Sequence, residues 1–157
     1  MALHGWNGDS GMNAFDLAQR FTGIKEVGGS VDNPQILAML KLDNDWPEGD
    51  EVPWCSAFVN YITWLMRLPR SKNLRARSWL TVGYGISLDD AVRGDIIILK
   101  RGKGIQPGPE VIEAPGHVGF YAGRSGDLIE VLGGNQSDTV KVSRYQSKRL
   151  LGVRRLV

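Results

Sequence analysis

One cysteine, Cys55, and two histidines, His4 and His117, are the whole supply of thiol and imidazole in this 157-residue chain. A single thiol cannot close an internal disulfide, so the fold does not depend on an oxidising compartment. One cysteine and two histidines, with His4 close to the terminus, do not furnish a zinc site of the usual type. No metal and no cofactor are expected. No apolar run approaches the roughly 18 residues that a membrane helix needs. The longest, Ile36 to Leu40 and Ile96 to Leu99, read as a buried helix segment and a buried strand. The start, Met1 to Trp6, has neither a basic n-region nor an apolar h-region. The expectation is therefore a chain made in the cytoplasm without a secretory signal, and no membrane insertion. There is no Gly-x-x-x-x-Gly-Lys-Ser/Thr loop for phosphoryl transfer, no internal repeat and no low-complexity segment.

What is present is ordinary for one globular domain: 42% hydrophobic and 23% charged residues. A loose terminus over 1–12 and a single domain over 13–157 are expected. The net charge of +2 hides an asymmetry. Acids crowd residues 1–51, whereas after Asp138 the only charges are Lys141, Arg144, Lys148, Arg149, Arg154 and Arg155. Such a stretch suits an anionic partner, or it is the wet face of strands, since Val142, Tyr145, Leu150, Leu151 and Val153 interleave it.

Periodicity orders the elements. A short helix is expected over Asn13 to Phe21. A second follows Asn33-Pro34, an N-cap with proline at the first helical position. From Cys55 to about Arg67, apolar residues recur at spacings of three and four. Arg75 to Leu80 suggests another helical turn, and Arg93-Gly94-Asp95 a turn before the strand at Ile96. Residues 101–116 form an unusually long loop, with four glycines and three prolines. His117 to Tyr121 and Leu128 to Leu132 read as a hairpin linked by Gly123-Arg124-Ser125-Gly126, and the tail as one or two further strands. Helices followed by antiparallel strands make an α+β fold.

Three segments carry chemistry. Cys55 stands at the expected start of its helix, where free backbone N–H groups favour a thiolate. His117 shares a strand face with Gly119 and Tyr121, opposite Val118, Phe120 and Ala122. Asn135 comes one hairpin later, where the returning strand ends beside the start of the first. Each has a plain structural alternative: a buried cysteine acting as a small hydrophobe, a satisfied histidine, an asparagine chosen for a Gly-Gly-Asn turn. Together they make a candidate site of nucleophile, base and orienting group. Gln136 is a second candidate for the orienter, or for an oxyanion donor. Trp54, Glu26 and Tyr121 join it as candidates for substrate contact. A carboxylate pair using Glu26 with Asp45, Asp50 or Glu51 is a further possibility.

The segments Asn33-Pro34, Pro53-Trp54-Cys55-Ser56-Ala57-Phe58-Val59, Gly116-His117-Val118-Gly119-Phe120-Tyr121 and Gly133-Gly134-Asn135-Gln136 resemble the NlpC/P60 and CHAP superfamily of papain-like cysteine hydrolases, above all its small phage and bacterial members. Arg93-Gly94-Asp95-Ile96 resembles that superfamily's Pro-Gly-Asp turn, with arginine in place of proline. The resemblance spans residues 13–157. It implies a papain-like fold of N-terminal helices packed on an antiparallel sheet. It implies peptidoglycan hydrolysis, at peptide bonds or at the amide joining stem to sugar, by Cys55 as nucleophile, His117 as base and Asn135 as orienter. A phage endolysin is the first expectation; a secreted antibacterial effector or a non-catalytic wall-binding module are the others. The expected partner is the bacterial cell wall, met in the periplasm or outside after release, with the basic tail as a candidate contact. No nucleic acid partner is expected, and the protein is expected to be a monomer. Many CHAP members place a glutamate before this asparagine, where Gly133-Gly134 stands here. Many NlpC/P60 members use a second histidine as orienter.

Overall fold

The computed structural model describes residues 11–27, 33–43 and 54–156. Most of the expected loose terminus (residues 1–10), Pro53, and Asp45, Asp50 and Glu51 lie outside the described residues.

Among the described residues, three helices precede the sheet. Helix α1 (Ala14–Gln19) opens on Asn13, whose side chain accepts from the Asp16 backbone while Asp16 reaches back, a capping box. Helix α2 (Pro34–Lys41) has Asn33 as N-cap and proline at its first turn. Helix α3 (Cys55–Leu65) turns Phe58, Val59 and Ile62 into the core. It ends at Met66, and Arg67 takes a left-handed conformation at φ 58°. Ala76–Thr81 forms a 3-10 turn.

Six antiparallel strands follow: β1 (Tyr84–Ile86), β2 (Ile96–Lys100), β3 (Gly116–Ser125), β4 (Leu128–Gln136), β5 (Thr139–Gln146) and β6 (Leu150–Arg155). Their order is β1-β6-β2-β3-β4-β5, so the last strand inserts between the first two. The three-residue strand β1 escaped the sequence reading because it has too few residues to show an alternation. The β3–β4 hairpin is longer than expected: Gly123 and Arg124 are still paired, and Gly126 makes the turn with φ 60°.

The sheet is apolar on both faces. Val118, Phe120 and Ala122 pack under the helices with Phe58, Ile62 and Trp54. On the other face Ile97, Leu99, Ile129, Val131 and Val153 form a smaller cluster, joined by Tyr121 and Tyr145. A further edge is added by residues 23–26. The Gly23 N–H donates to Val140 O, Val140 N–H to Ile24 O, and Glu26 N–H to Asp138 O. This brings Glu26 under α3, where its Oε2 accepts from Trp54 Nε1 at 2.8 Å.

Four arginines of the basic tail are bonded within the fold. Arg144 pairs with Glu130 and Arg155 with Asp95. Arg149 donates to the Lys100 and Gly102 carbonyls, and Arg154 to those of Val82 and Gly83. These four clip neighbouring strands and loops together.

Trp54 is fully buried, and its ring lies against β4 at Gly134. A Cβ there would sit 2.6 Å from Trp54 Cζ3 and 2.9 Å from Phe58 Cβ. Gly134→Ala is therefore expected to destabilise by about 1–3 kcal/mol through overpacking. Thermal denaturation checks this, as a lowered Tm.

Candidate functional site

Cys55 occupies the first turn of α3, and Trp54 before it supplies no side-chain cap to the free N–H groups. The tip is held from behind. Ser56 Oγ donates to Asn73 O at 2.6 Å and accepts from Trp79 Nε1 at 2.9 Å. Asn60 adds bonds to Ser56 O and to the Lys72 backbone. These bonds fix the 71–76 segment against the helix, which makes Leu74, Arg75 and Ala76 one wall of a cleft.

The opposite wall is the long loop. Arg101, Glu113, Ala114, Pro115 and Gly116 complete a cleft of ≈ 420 Å³ with Cys55 at its base. The loop is organised by Arg77, a buried guanidinium the sequence did not flag. Arg77 Nε donates to Pro115 O, and Nη1 to the carbonyls of Pro107, Gly108 and Val111. Four loop carbonyls thus converge on one side chain.

His117 begins β3 beside the helix tip and is 7% exposed. Burial alone would raise the Cys55 thiol, but the His117 charge, a hydrogen bond with His117 and one with the Val118 backbone prevail, and the thiol lies below its ordinary range. Arg101 adds a smaller push in the same direction.

The third group is Gln136. His117 Nε2 and Gln136 Oε1 are 2.9 Å apart. The Gln136 Nε2 amide donates to the carbonyls of Val131, Gly133 and Lys141. An amide nitrogen bound to carbonyls cannot exchange places with its oxygen, so Oε1 must face the imidazole as an acceptor. His117 Nε2 is then the N–H, and Nδ1 is left for the thiol. The Tyr145 hydroxyl donates to the same Oε1 at 2.9 Å, and its ring lies 5.3 Å from the imidazole.

Asn135 is not the residue placed against the imidazole. Alternation along β4 assigns residues 129, 131 and 133 to the His117 face, and would add 135. A bulge between Gly133 and Gln136 interrupts the register, with Asn135 left-handed at φ 56°. The extra residue reverses the parity, and Gln136 takes the inward position. Asn135 fits its own position because asparagine tolerates this conformation better than most residues. Gly133 leaves room: a Cβ there would stand 3.3 Å from His117 Nε2.

The other candidates fall elsewhere. Trp54 and Glu26 bond to each other, and the indole faces the strand rather than the cleft. Tyr121 lies four residues along β3, about 13 Å from His117, packed in the second apolar cluster. Among the described residues no group of three or more His, Cys, Asp or Glu side chains gathers around a point.

Comparison with known proteins bears on the fold. No protein-family model and no curated protein sequence matches this chain. A solved structure does: NlpC1 from Trichomonas vaginalis superposes with a TM-score of 0.54 at 16% identity. The fold is NlpC/P60-like. The match covers 92% of this chain and 43% of NlpC1, so this chain spans less than half of that protein. The helices on an antiparallel sheet are the α+β papain-like architecture, and within it Cys55 opens the helix that faces the His117 strand.

The single cysteine makes its ionisation easy to read. The rate of alkylation by iodoacetamide is expected to rise with a midpoint below that of an ordinary cysteine, roughly pH 8.5. Measuring that rate from pH 4 to pH 10 checks it.

Proposed function

We propose that this protein is a cysteine peptidoglycan hydrolase. The observation that carries this reading is the convergence of Cys55, His117 and Gln136, with Cys55 lining an open cleft and the other two buried behind it. The resemblance of the cysteine and histidine segments to peptidoglycan-cleaving enzymes supports the substrate, and the NlpC/P60-like fold is consistent with it.

In this reading His117 Nδ1 takes the Cys55 proton. The thiolate attacks the carbonyl carbon of a wall amide, and the oxyanion is met by the backbone N–H groups of the α3 tip. The imidazolium then gives its proton to the amide nitrogen, the C–N bond breaks and the amine leaves. A thioester remains on Cys55. Water attacks it while His117 removes a proton, the C–S bond breaks, and the thiol and a carboxylic acid are regenerated. Gln136 holds the ring in the tautomer that makes Nδ1 basic.

Within that class we place the protein as a phage endolysin, released to the wall rather than inserted in a membrane, working as a monomer. The amide cut is a stem-peptide bond or the link between stem and sugar. With four of the tail's arginines bonded within the fold, the cleft wall that includes Arg75 and Arg101 is the better candidate for meeting an anionic wall.

Purified cell walls test the reading. Cys55→Ala is expected to release no soluble fragments while melting as the wild type does. Gln136→Ala is expected to slow release on the order of 100-fold, the usual penalty for a misplaced catalytic group. Asn135→Gly, which keeps the left-handed backbone, is expected to stay near wild type. Fragment release by Cys55→Ala would overturn the proposal.

A further inference from the structure

Tyr145 entered the sequence reading only as one of the residues interleaving the basic tail, yet it touches two members of the site. It stands on β5, with Gln136 on the neighbouring strand β4. Its hydroxyl donates to Gln136 Oε1, the same oxygen that meets His117 Nε2, and its ring is tilted 33° to the imidazole. The oxygen of an amide has two lone pairs. Here one serves the base and the other serves the phenol.

We propose that Tyr145 is a positioning residue that sets how strongly Gln136 holds the His117 base, through a shared acceptor oxygen and a ring backing the imidazole. The inference rests on reading Cys55 as the nucleophile and His117 as its base. The hydroxyl hydrogen points at Oε1 and competes with the imidazole N–H for its electron density. The phenol stays protonated throughout the working range: burial, and then the nearby Cys55 charge, push it up to about 12 against the opposing pulls of Arg101, of a hydrogen bond with Ser143 and of Arg149. It is therefore a permanent donor. With it present, the bond from Gln136 to the protonated ring is tempered, and the thiolate–imidazolium pair forms at a higher pH than Gln136 alone would allow.

Few other charges face this cluster. His117 comes from β3, Arg101 from the loop after β2, and Arg149 from the turn before β6. Arg75 and Glu113 line the cleft beyond the sulfur. None of them is changed by a substitution at Tyr145, so a shift in thiol ionisation reports on the phenol.

The test is the pH profile of Cys55 alkylation, which needs no substrate and stands apart from the question of which bond is cut. Tyr145→Phe keeps the ring and removes only the hydroxyl. The profile is expected to move to lower pH by roughly half a unit. An unchanged profile, as a purely packing role predicts, or a shift to higher pH overturns the proposal. In a Gln136→Ala background the same Tyr145→Phe change is expected to have no effect, because the shared oxygen is gone. A further shift there would show that the phenol acts on the thiol by another route, and would equally overturn it. Fragment release from purified walls by the Cys55→Ala protein would instead strike the hydrolase reading, and is a distinct signature from these outcomes.

Discussion

The whole arrangement depends on one amide that has no freedom. Gln136 has both ends engaged, its nitrogen on three carbonyls of β4 and β5 and its oxygen on His117 and Tyr145. Because the nitrogen cannot turn inward, the oxygen must, and an imidazole facing an acceptor must present an N–H. Everything chemical follows: the second ring nitrogen is free to face Cys55, and a buried thiol lies below its ordinary range despite its burial. The backbone of a strand end thereby dictates the proton position on a side chain one strand away.

The rest of the fold holds that strand end and the helix tip in register. Helix α3 is pinned by Ser56 and Asn60 to the segment carrying Leu74 and Arg75. Arg77 gathers four carbonyls of the 107–115 stretch and turns a long loop into a wall. Gly134 lets the Trp54 ring lie against β4 beside the bulge. The first two devices satisfy backbone polar groups with side chains from other segments, and the third lets two buried elements approach closely. The cleft stays open because its walls are held back by these bonds.

Much of this was legible in the sequence, and the parts that were not share a cause. The helix starts at Asn13 and Asn33 followed from capping chemistry, a local property. The helix beginning at Cys55 followed from the spacing of apolar residues, and the His117 strand from alternation. The α+β order of elements was readable for the same reason. The Asn135–Gln136 choice was not, because it turns on a bulge that adds one residue to one strand, and no periodicity announces a single-residue slip. The sequence offered both residues, and the left-handed backbone at 135 decides between them. Arg77 and Tyr145 escaped because their roles come from contacts 30 or more residues away in one case and across a strand pair in the other. The roles of the tail's arginines were hidden for a related reason. Charge is visible in a sequence, but the carbonyls of Lys100, Gly102, Val82 and Gly83 that occupy its arginines are not. Likewise Trp54 and Glu26, each a plausible substrate contact in isolation, are spent on one another.

The proton on His117 is the most direct test of this account. Nitrogen-15 NMR of the ring can follow it, since the chain has only two histidines and His4→Gln leaves one signal. Wherever the ring is neutral, its proton should be found on Nε2, with Nδ1 showing the shift of an unprotonated nitrogen. A neutral ring protonated on Nδ1 would mean that Gln136 does not dictate the tautomer, and the account of the site would fail at its base.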